Sequence, residues 1–509
     1  MKNKVFLLSA LLLSMPLLPV QAADAAPESH NRQIDIDKVV VTKHQAEVNN
    51  VSFPYTAETG TQPVWDEEGN PTATLFYTYY ERSDIKDKSK RPLLISFNGG
   101  PGSASVWMQI AYTGPRALNV DSEGYPLQPY GTKDNPYSVL DTADIVFVNP
   151  VNTAYSRVLP GKDGKMPSRD AQQKMFFGVN EDVNYLSSWI ETFVSRHQRW
   201  PSPKYLIGES YGTTRVSGLA LALQNKEWMY LNGVILVSPT ELGIKREGPV
   251  DVANRLPYYT ATAWYHKKLP AELQQLDLMD VLAQSEQFTL NTYLPHLAKG
   301  SYVEVADRQQ VAEQVAKFSG LSVQAVLANN LDIPTDYFWK ELLRDRGQTV
   351  GRLDSRYLGI DRKEAGAEPD YNAELTSWLH SFTPAINDYL RTSLNYKTDV
   401  KYNMFGPVHP WNREGDQTGE NLRQAMAQNP YLHVLIQSGY YDGATNYFDA
   451  KYSMWQLDPS GKMKSRLSFK GYRSGHMMYL RYEDLKSSND DLRAFIKASL
   501  PKEGQAAKY

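Results

Sequence analysis

Short, continuous apolar runs alternate with helical patterns between residues 90 and 240. Continuous runs are typical of strands buried on both faces of a sheet, whereas half-exposed strands alternate apolar and polar residues. Because strands that alternate with helices pair in parallel, this segment predicts a mostly parallel sheet covered by helices. The predicted strands are residues 92–97, 143–148, 204–208 and 231–238, and the predicted helices are residues 180–200 and 212–225.

The alternation stops at residue 241 and resumes near residue 429. The stretch between them is helical in pattern and contains no convincing buried strand. Apolar strands return at residues 431–437 and 465–470, and a polar helix follows. We therefore expect one α/β domain built from residues 46–240 and 429–509, with residues 241–428 inserted as a large helical cap.

The N-terminus has the features of a secretory signal peptide over residues 1–22: lysines, an apolar run and small residues before Ala22. Ser9, Ser14 and Pro16 interrupt the run, which is shorter than a membrane span requires. Residues 23–45 are polar and Ala-rich, and we expect them to be a poorly ordered lead-in. No later segment has a membrane-spanning pattern, so we expect an exported protein, periplasmic or secreted, without an integral membrane anchor.

Composition excludes several classes of function. The chain has 509 residues, a formal net charge of −3 and no block of like charges, which argues against binding nucleic acid or an anionic membrane through charge. It contains no cysteine, so disulfides, thiol catalysis and thiolate-bound metals are excluded. A nucleophile in this chain must therefore be an oxygen.

The sequence GESYG at residues 208–212 lies between a predicted strand and a predicted helix. A strand, a tight turn and a helix form the nucleophile elbow of the α/β-hydrolase fold, in which flanking glycines allow close packing and the serine is exposed at the helix N-terminus. The alternative interpretation is a Gly-rich connection without catalytic function. The context favours Ser210 as a nucleophile.

A serine nucleophile needs a base and a carboxylate that orients the base, in the chain order Ser, Asp or Glu, His. His476 follows a predicted strand and is the only histidine after Asp442, which itself follows the strand ending in QSG. Asp442 could instead be a turn-forming Asp-Gly, but its position at a strand end favours a catalytic role. The remaining histidines after Ser210 fall in the helical insertion or inside a strand: His266, His296, His380, His409 and His433.

Acyl transfer also requires hydrogen-bond donors for the oxyanion of the tetrahedral intermediate. In this fold one donor is the backbone N–H after the nucleophile, here that of Tyr211, and the other comes from a Gly-rich loop after an earlier strand. The sequence NGGPG at residues 98–102 is the candidate loop. A tight turn without a ligand is the alternative, but its three glycines permit close backbone approach.

Several motifs together resemble the serine carboxypeptidases in order and spacing, from about residue 50 to residue 500. They are FNGGPGSAS at 97–105, Gly114-Pro115, ADIVFVNPVNTAYSR at 143–157, GESYG, SGYYDG and SGHMMY. The resemblance implies an α/β-hydrolase fold with a helical insertion over the active site, and removal of residues from peptide C-termini without a metal or organic cofactor. It also implies that Gly100 and Tyr211 supply the oxyanion donors and that Asn98 and Glu209 hold the terminal carboxylate of a peptide substrate.

A carboxyl group beside the nucleophile and close to a substrate carboxylate is costly to ionise. We therefore expect the pKa of Glu209 to be raised, so that its protonated form donates to the substrate. Three residues depart from the family pattern: Ser96 replaces a Trp, Tyr112 replaces a Glu near Glu209, and Ser103 replaces a Cys. An esterase or acyltransferase with the same triad, or a catalytically silent binding protein, remain as alternatives.

Overall fold

A ten-stranded mixed sheet forms the centre of the protein. The structure is a computed structural model that describes residues 32–509, and residues 34–509 make one compact unit. The predicted signal peptide lies outside the described residues. Within the described range, no helix has both the length and the apolar character needed to cross a bilayer. The strands are β1 (Val39–Val48), β2 (Val51–Trp65), β3 (Pro71–Arg82), β4 (Leu93–Phe97), β5 (Arg116–Leu118), β6 (Thr132–Asp134), β7 (Asp144–Val148), β8 (Arg157–Val158), β9 (Lys204–Glu209), β10 (Gly233–Val237), β11 (Thr349–Val350), β12 (Leu358–Gly359), β13 (His433–Gly439) and β14 (Leu467–Tyr472).

The central sheet has an antiparallel edge and a parallel body. Its strand order is β1-β2-β3-β7-β4-β9-β10-β13-β14, with β8 paired to β3. The pairs from β1 to β7 are antiparallel, and every pair from β7 to β14 is parallel. Strands β4, β7, β9 and β10 are buried along their whole length, as their continuous apolar sequences predicted.

Helices cover both faces of the sheet. Successive residues of β9 point to opposite faces: Leu206 packs in a core cluster with Leu219 of one helical layer, and Ile207 packs in a second cluster with Ile496 of the other. The helices are α1 (Val106–Ala111), α2 (Arg169–Phe176), α3 (Val179–Arg196), α4 (Tyr211–Lys226), α5 (Pro249–Asn254), α6 (Leu256–Tyr265), α7 (Ala271–Gln274), α8 (Leu278–Phe288), α9 (Leu294–Lys299), α10 (Val305–Ser319), α11 (Val323–Ala328), α12 (Thr335–Glu341), α13 (Ala373–Asp388), α14 (Thr418–Gln428), α15 (Tyr447–Leu457) and α16 (Tyr482–Ser499).

The structure places residues 39–45 in strand β1. The prediction of a poorly ordered lead-in over residues 23–45 is therefore wrong for this last part. The β1 side chains alternate between exposed and half-buried along almost the whole strand. Its position at the edge of the sheet explains the misassignment, since an edge strand with little buried surface has a polar composition.

The helical insertion is less separate from the α/β domain than its sequence suggested. Helix α14 lies within residues 241–428, yet it packs on α4, where Gln224 donates a hydrogen bond of 2.6 Å to Gln428. Helix α13 contributes Phe382 to the same core cluster as α1, with its ring 4.5 Å from that of Trp107. The insertion also contains the short antiparallel pair β11 and β12, which the sequence analysis did not predict.

Candidate active site

Four connections at the carboxyl ends of parallel strands meet at one edge of the sheet. Asn98 directly follows β4, Ser210 follows β9, and Asp442 and His476 lie in the connections after β13 and β14. Ligands and catalytic groups in open α/β sheets bind at this edge, where successive connections diverge. The structure therefore brings together the residues that the sequence analysis selected.

Ser210 occupies a sharp turn between β9 and α4. Its φ of 57° and ψ of −129° are rare for a residue with a side chain and are typical of strain retained at a functional site. The turn closes only because glycines flank it: a Cβ on Gly208 would lie 2.1 Å from the carbonyl oxygen of Gly212. The local geometry is that of the predicted nucleophile elbow.

Asp442 holds the imidazole of His476. Its Oδ2 lies 2.7 Å from His476 Nδ1, and its Oδ1 accepts hydrogen bonds of 2.9 and 3.1 Å from the backbone N–H groups of Ala444 and Thr445. The carboxyl group is fully buried, so these donors replace the water that would otherwise solvate it. Burial alone would lower the pKa of His476, but the facing carboxylate more than offsets it and the pKa is raised.

Two contacts fix the backbone of His476. Its N–H donates to the Leu353 carbonyl at 2.7 Å, and its carbonyl accepts from Ser238 Oγ at 2.8 Å. His476 and Ser210 line the same cleft, but within residues 32–509 no hydrogen bond joins their side chains. Such bonds often tighten only when substrate is present, so the geometry is compatible with a serine–histidine pair.

The Gly-rich loop packs directly against the elbow. A Cβ on Gly99 would lie 2.4 Å from the backbone nitrogen of Tyr211, and Gly100 has a φ of 103°. A side chain would be excluded at the first position and strained at the second. The loop and the first turn of α4 are therefore in close contact, and the assignment of the Gly100 and Tyr211 N–H groups as oxyanion donors stays a prediction.

A buried arginine that the sequence analysis did not select holds this loop in place. Arg215 on α4 donates to the carbonyl oxygen of Asn98 at 2.6 Å and to Asp182 Oδ2 on α3 at 2.6 Å. Arg215 and Asp182 are both inaccessible to solvent. No local motif marks Arg215, because its partners are distant in sequence; only the packing of α3 against α4 brings the pair together.

Glu209 and Asn98 form a buried pair beside the nucleophile. Asn98 Nδ2 donates to Glu209 Oε1 at 3.1 Å, and Asn98 Oδ1 accepts from the N–H of Met108 at 3.1 Å, which orients the amide. Burial raises the pKa of Glu209 to about 7, and Asp442 adds to the increase, whereas His476 and the hydrogen-bonding partners of Glu209 reduce it. The raised pKa agrees with the sequence-based expectation.

A second partner of Glu209 is a tyrosine to which the sequence analysis gave no role in the site. The hydroxyl of Tyr479 donates to Glu209 Oε2. The ring of Tyr479 stacks on that of Tyr112, with 4.7 Å between centroids and 11° between planes. Tyr112, which replaces the family's Glu, instead donates its own hydrogen bond to Gln437 at 2.7 Å. Tyr479 is thus a partner of Glu209, and the SGHMMY motif in which it lies marks the residue but not this contact.

The segment 351–355 of the helical insertion connects the two catalytic loops. The Arg352 carbonyl accepts from the N–H of Gly443, next to Asp442, at 2.9 Å, and the Leu353 carbonyl accepts from His476 as described above. The N–H of Leu353 donates to Glu374 Oε1 at 2.9 Å. Glu374 is buried, which raises its pKa to about 7, and its Oε2 has no hydrogen-bond partner among the described residues. The insertion therefore contributes directly to the position of the imidazole.

An open cleft of about 200 Å³ exposes these groups. Part of its lining is apolar, and the polar groups Asn98, Glu209, Ser210 and His476 line it as well. The apolar part is formed by Trp107, Leu353, Leu375, Trp378, Phe405 and Met477. An apolar pocket with a few convergent polar groups is typical of a small-molecule or peptide-end site.

Comparisons with known proteins agree with this geometry. The sequence matches the serine carboxypeptidase family profile over residues 55–478. The chain is similar to Serine carboxypeptidase-like 36 of Arabidopsis thaliana, with 30% identity over 34% of this chain and 33% of that protein. It is also similar to Serine carboxypeptidase-like 5 of the same organism, with 26% identity over 57% of this chain and 60% of that protein. The matched segments thus span a third and three fifths of these curated relatives.

Among solved structures, the chain is similar to Kex1ΔP, a prohormone-processing carboxypeptidase from Saccharomyces cerevisiae. The TM-score is 0.52 at 14% identity, over 87% of this chain and 91% of that one. At this identity the likeness shows the fold alone, and it confirms the predicted α/β-hydrolase fold. The family profile covers most of the chain, from the second strand to the residues after His476. The chain therefore belongs to the serine carboxypeptidase family.

Proposed function

We propose that the protein is an exported serine carboxypeptidase, which removes residues from the C-terminus of peptides. The observation that carries this proposal is the buried pair of Asn98 and Glu209 next to Ser210. A carboxyl group with a pKa near 7 in an open cleft can donate a hydrogen bond to the terminal carboxylate of a peptide. A substrate whose C-terminus is an ester or an amide has no such carboxylate. Family membership supports the same activity.

In the proposed acylation step, Ser210 Oγ attacks the carbonyl carbon of the last peptide bond and transfers its proton to His476 Nε2. Asp442 stabilises the resulting imidazolium through Nδ1. The carbonyl oxygen becomes an oxyanion and accepts hydrogen bonds from the N–H groups of Gly100 and Tyr211. His476 then protonates the leaving amine as the C–N bond breaks, which leaves an acyl-enzyme. A water molecule deprotonated by His476 attacks this ester and regenerates Ser210.

The terminal carboxylate binds at Asn98 and Glu209 in this proposal. Asn98 offers an amide N–H, and protonated Glu209 offers an O–H. When the pH rises above the pKa of Glu209, this carboxyl group ionises and repels the substrate carboxylate. The proposal therefore includes weaker peptide binding on the alkaline side of about pH 7.

Three matched substrates test the activity: a blocked dipeptide with a free C-terminus, its C-terminal amide and its methyl ester. We expect Ser210-dependent hydrolysis of the free acid and the ester, and much slower hydrolysis of the amide. Ser210→Ala should abolish turnover of all three. Ser195→Ala, on the exposed face of α3, is the matched control and should retain full activity.

Other outcomes would favour other functions. Equal rates on the free acid and the amide would contradict the carboxypeptidase proposal. Hydrolysis or transfer restricted to the ester would indicate an esterase or acyltransferase that uses the same triad. No Ser210-dependent turnover of any substrate would indicate a binding protein.

Export through the signal peptide of residues 1–22 is part of the proposal. The test is N-terminal sequencing of the protein purified from extracytoplasmic fractions of a bacterial host. We expect the mature chain to begin directly after Ala22 or Ala23. An intact Met1 on a protein that stays in the cytoplasm would contradict export.

A further inference from the structure

Arg352 is an exposed arginine at the mouth of the active-site cleft. The other charged or titratable side chains that line this cleft are Glu209 and His476. Arg352 lines the same cleft as His476, and its positive charge opposes protonation of that imidazole. The mechanism proposed for Ser210, Asp442 and His476 gives Arg352 no role.

Arg352 differs from the neighbouring Arg356 in its ion pairing. The neighbouring Arg356 pairs with Asp354 at 2.6 Å, whereas Arg352 has no carboxylate within ion-pair distance among residues 32–509. Glu209 is the carboxyl group that lines the cleft among the described residues, and burial raises its pKa to about 7. In mildly acidic solution this carboxyl group is mostly neutral, so its charge does not cancel that of the Arg352 guanidinium.

The position of Arg352 indicates which part of a substrate it faces. A substrate held by its terminal carboxylate at Asn98 and Glu209 ends there, so its acyl portion must leave the cleft through another opening. A second cavity of about 600 Å³ is lined in part by Gly443 and Ala444, directly after Asp442. Of the residues described, Arg352 alone lines both the cleft and this cavity. A substrate that leaves the cleft through this cavity therefore passes Arg352 with its acyl portion.

We propose that Arg352 binds an acidic side chain on the residue that precedes the scissile bond. A planar guanidinium with free N–H groups matches the two oxygens of a Glu or Asp side chain. The second cavity is lined by the acidic residues Asp336, Glu368 and Asp370. Their negative charge disfavours further acidic side chains along the substrate, so the preference is restricted to the residue that precedes the scissile bond. The assignment of the acyl side rests on the proposed carboxypeptidase function.

The test compares two isosteric substrates, acetyl-Glu-Phe and acetyl-Gln-Phe, at low ionic strength and about pH 6. We expect wild-type kcat/KM to be about fivefold higher for the Glu peptide, the size of a partly exposed ion pair. The ratio should fall to about one in Arg352→Gln, remain above one in Arg352→Lys, and decrease with added salt. Lys497→Gln, which removes an exposed charge from α16, is the control and should leave the ratio unchanged.

Two outcomes would overturn the proposal. The first is a wild-type ratio that Arg352→Gln does not change. The second is an equal loss on both peptides, which would assign Arg352 to the terminal carboxylate or to His476 instead.

The same ratio can be measured without hydrolysis, by calorimetric binding of both peptides to Ser210→Ala and to Ser210→Ala/Arg352→Gln. If wild-type protein hydrolyses neither peptide, the proposed activity fails, and the binding ratio still decides whether the acidic subsite exists. A preference for Glu that depends on Arg352 supports the subsite. Equal affinities of Ser210→Ala for the two peptides contradict it.

Discussion

At the residue scale, the proposed function assigns substrate choice to Glu209 and its partners. Its carboxyl group is buried, with a pKa raised to about 7, and both of its oxygens accept hydrogen bonds from neighbouring side chains. The serine identifies acyl-transfer chemistry, which many α/β hydrolases share. The neighbouring carboxyl group distinguishes a site that can hold a carboxylate from one that cannot.

Replacement of Glu209 by Gln should remove the pH dependence of peptide binding. In the wild type, KM for a free-acid peptide should rise by up to about tenfold per pH unit above about pH 7, because ionised Glu209 repels the substrate. Glu209→Gln has no proton to lose, so its KM should change little over this range. Ester hydrolysis should have the same pH profile in both proteins. The measurement is KM against pH, and an unchanged peptide profile in the variant would exclude Glu209 from carboxylate recognition.

Tyr479 should set where this pH dependence begins. Its hydroxyl donates to Glu209 and lowers the pKa of that carboxyl group, so Tyr479→Phe should move the rise in KM to higher pH by about one unit or less. Tyr112→Phe is the matched control, because Tyr112 stacks on Tyr479 but donates to Gln437. Equal displacement of the profile by both variants would show that ring packing, and not the hydroxyl group, controls Glu209.

At the element scale, the segment 351–355 of the insertion supports the candidate active site through its backbone. It accepts hydrogen bonds from the loops that carry Asp442 and His476, and Glu374 on α13 binds its backbone in turn. Gly475 also requires this segment to remain close, since a Cβ at that position would lie 2.5 Å from Asp354 Cβ. The distance between Asp442 and His476 is therefore supported from outside the strand connections that carry them.

Glu374 should make the stability of the protein depend on pH. Its pKa is raised by burial from 4.5 in its ordinary state to about 7, so the folded protein keeps a proton that the unfolded chain loses. Its contribution is fully present below about pH 4.5 and is lost as the pH rises to about 7. We therefore compare the free energy of unfolding of Glu374→Gln with that of the wild type at two pH values. The difference, variant minus wild type, should be more positive at about pH 8 than at about pH 5, by up to about 3 kcal/mol.

Urea unfolding at the two pH values measures this difference. Gln can still accept from the N–H of Leu353, so Glu374→Gln should retain activity. Glu374→Leu cannot accept, and its kcat should fall with little change in KM because His476 is less well positioned. A pH-independent difference between wild type and Glu374→Gln would contradict the buried, protonated carboxyl group.

At the scale of the whole molecule, the α/β domain and the helical insertion share their packing. Residues 34–509 form one compact unit, and helices α13 and α14 of the insertion pack against α1 and α4. We expect a single unfolding transition on heating. The measurements are calorimetry and near-ultraviolet circular dichroism of the buried tryptophans. A separate transition at lower temperature would show that the insertion unfolds independently as a domain.

Most of the sheet could be predicted from the sequence, because fully buried strands and amphipathic helices have local signatures. The predicted strands from residue 92 onward agree with the structure to within about three residues at each end. Strand β1 was missed because an edge strand buries little surface and so has a polar sequence. Helix α14 lies within the predicted insertion, and its sequence does not reveal that it packs on α4.

The sequence alone determined the residues at the ends of the strands: Asn98, Gly100, Glu209, Ser210, Tyr211, Asp442 and His476. In a parallel sheet, strand ends meet at one edge, so the order of the motifs along the chain is enough to bring these residues together. Tertiary structure alone decided which groups support them: Arg215 with Asp182, Tyr479 with Glu209, and Glu374 with Leu353. These pairs are between 21 and 270 residues apart in sequence. The contacts depend on how separate elements pack, and a local pattern of residues carries no record of that packing.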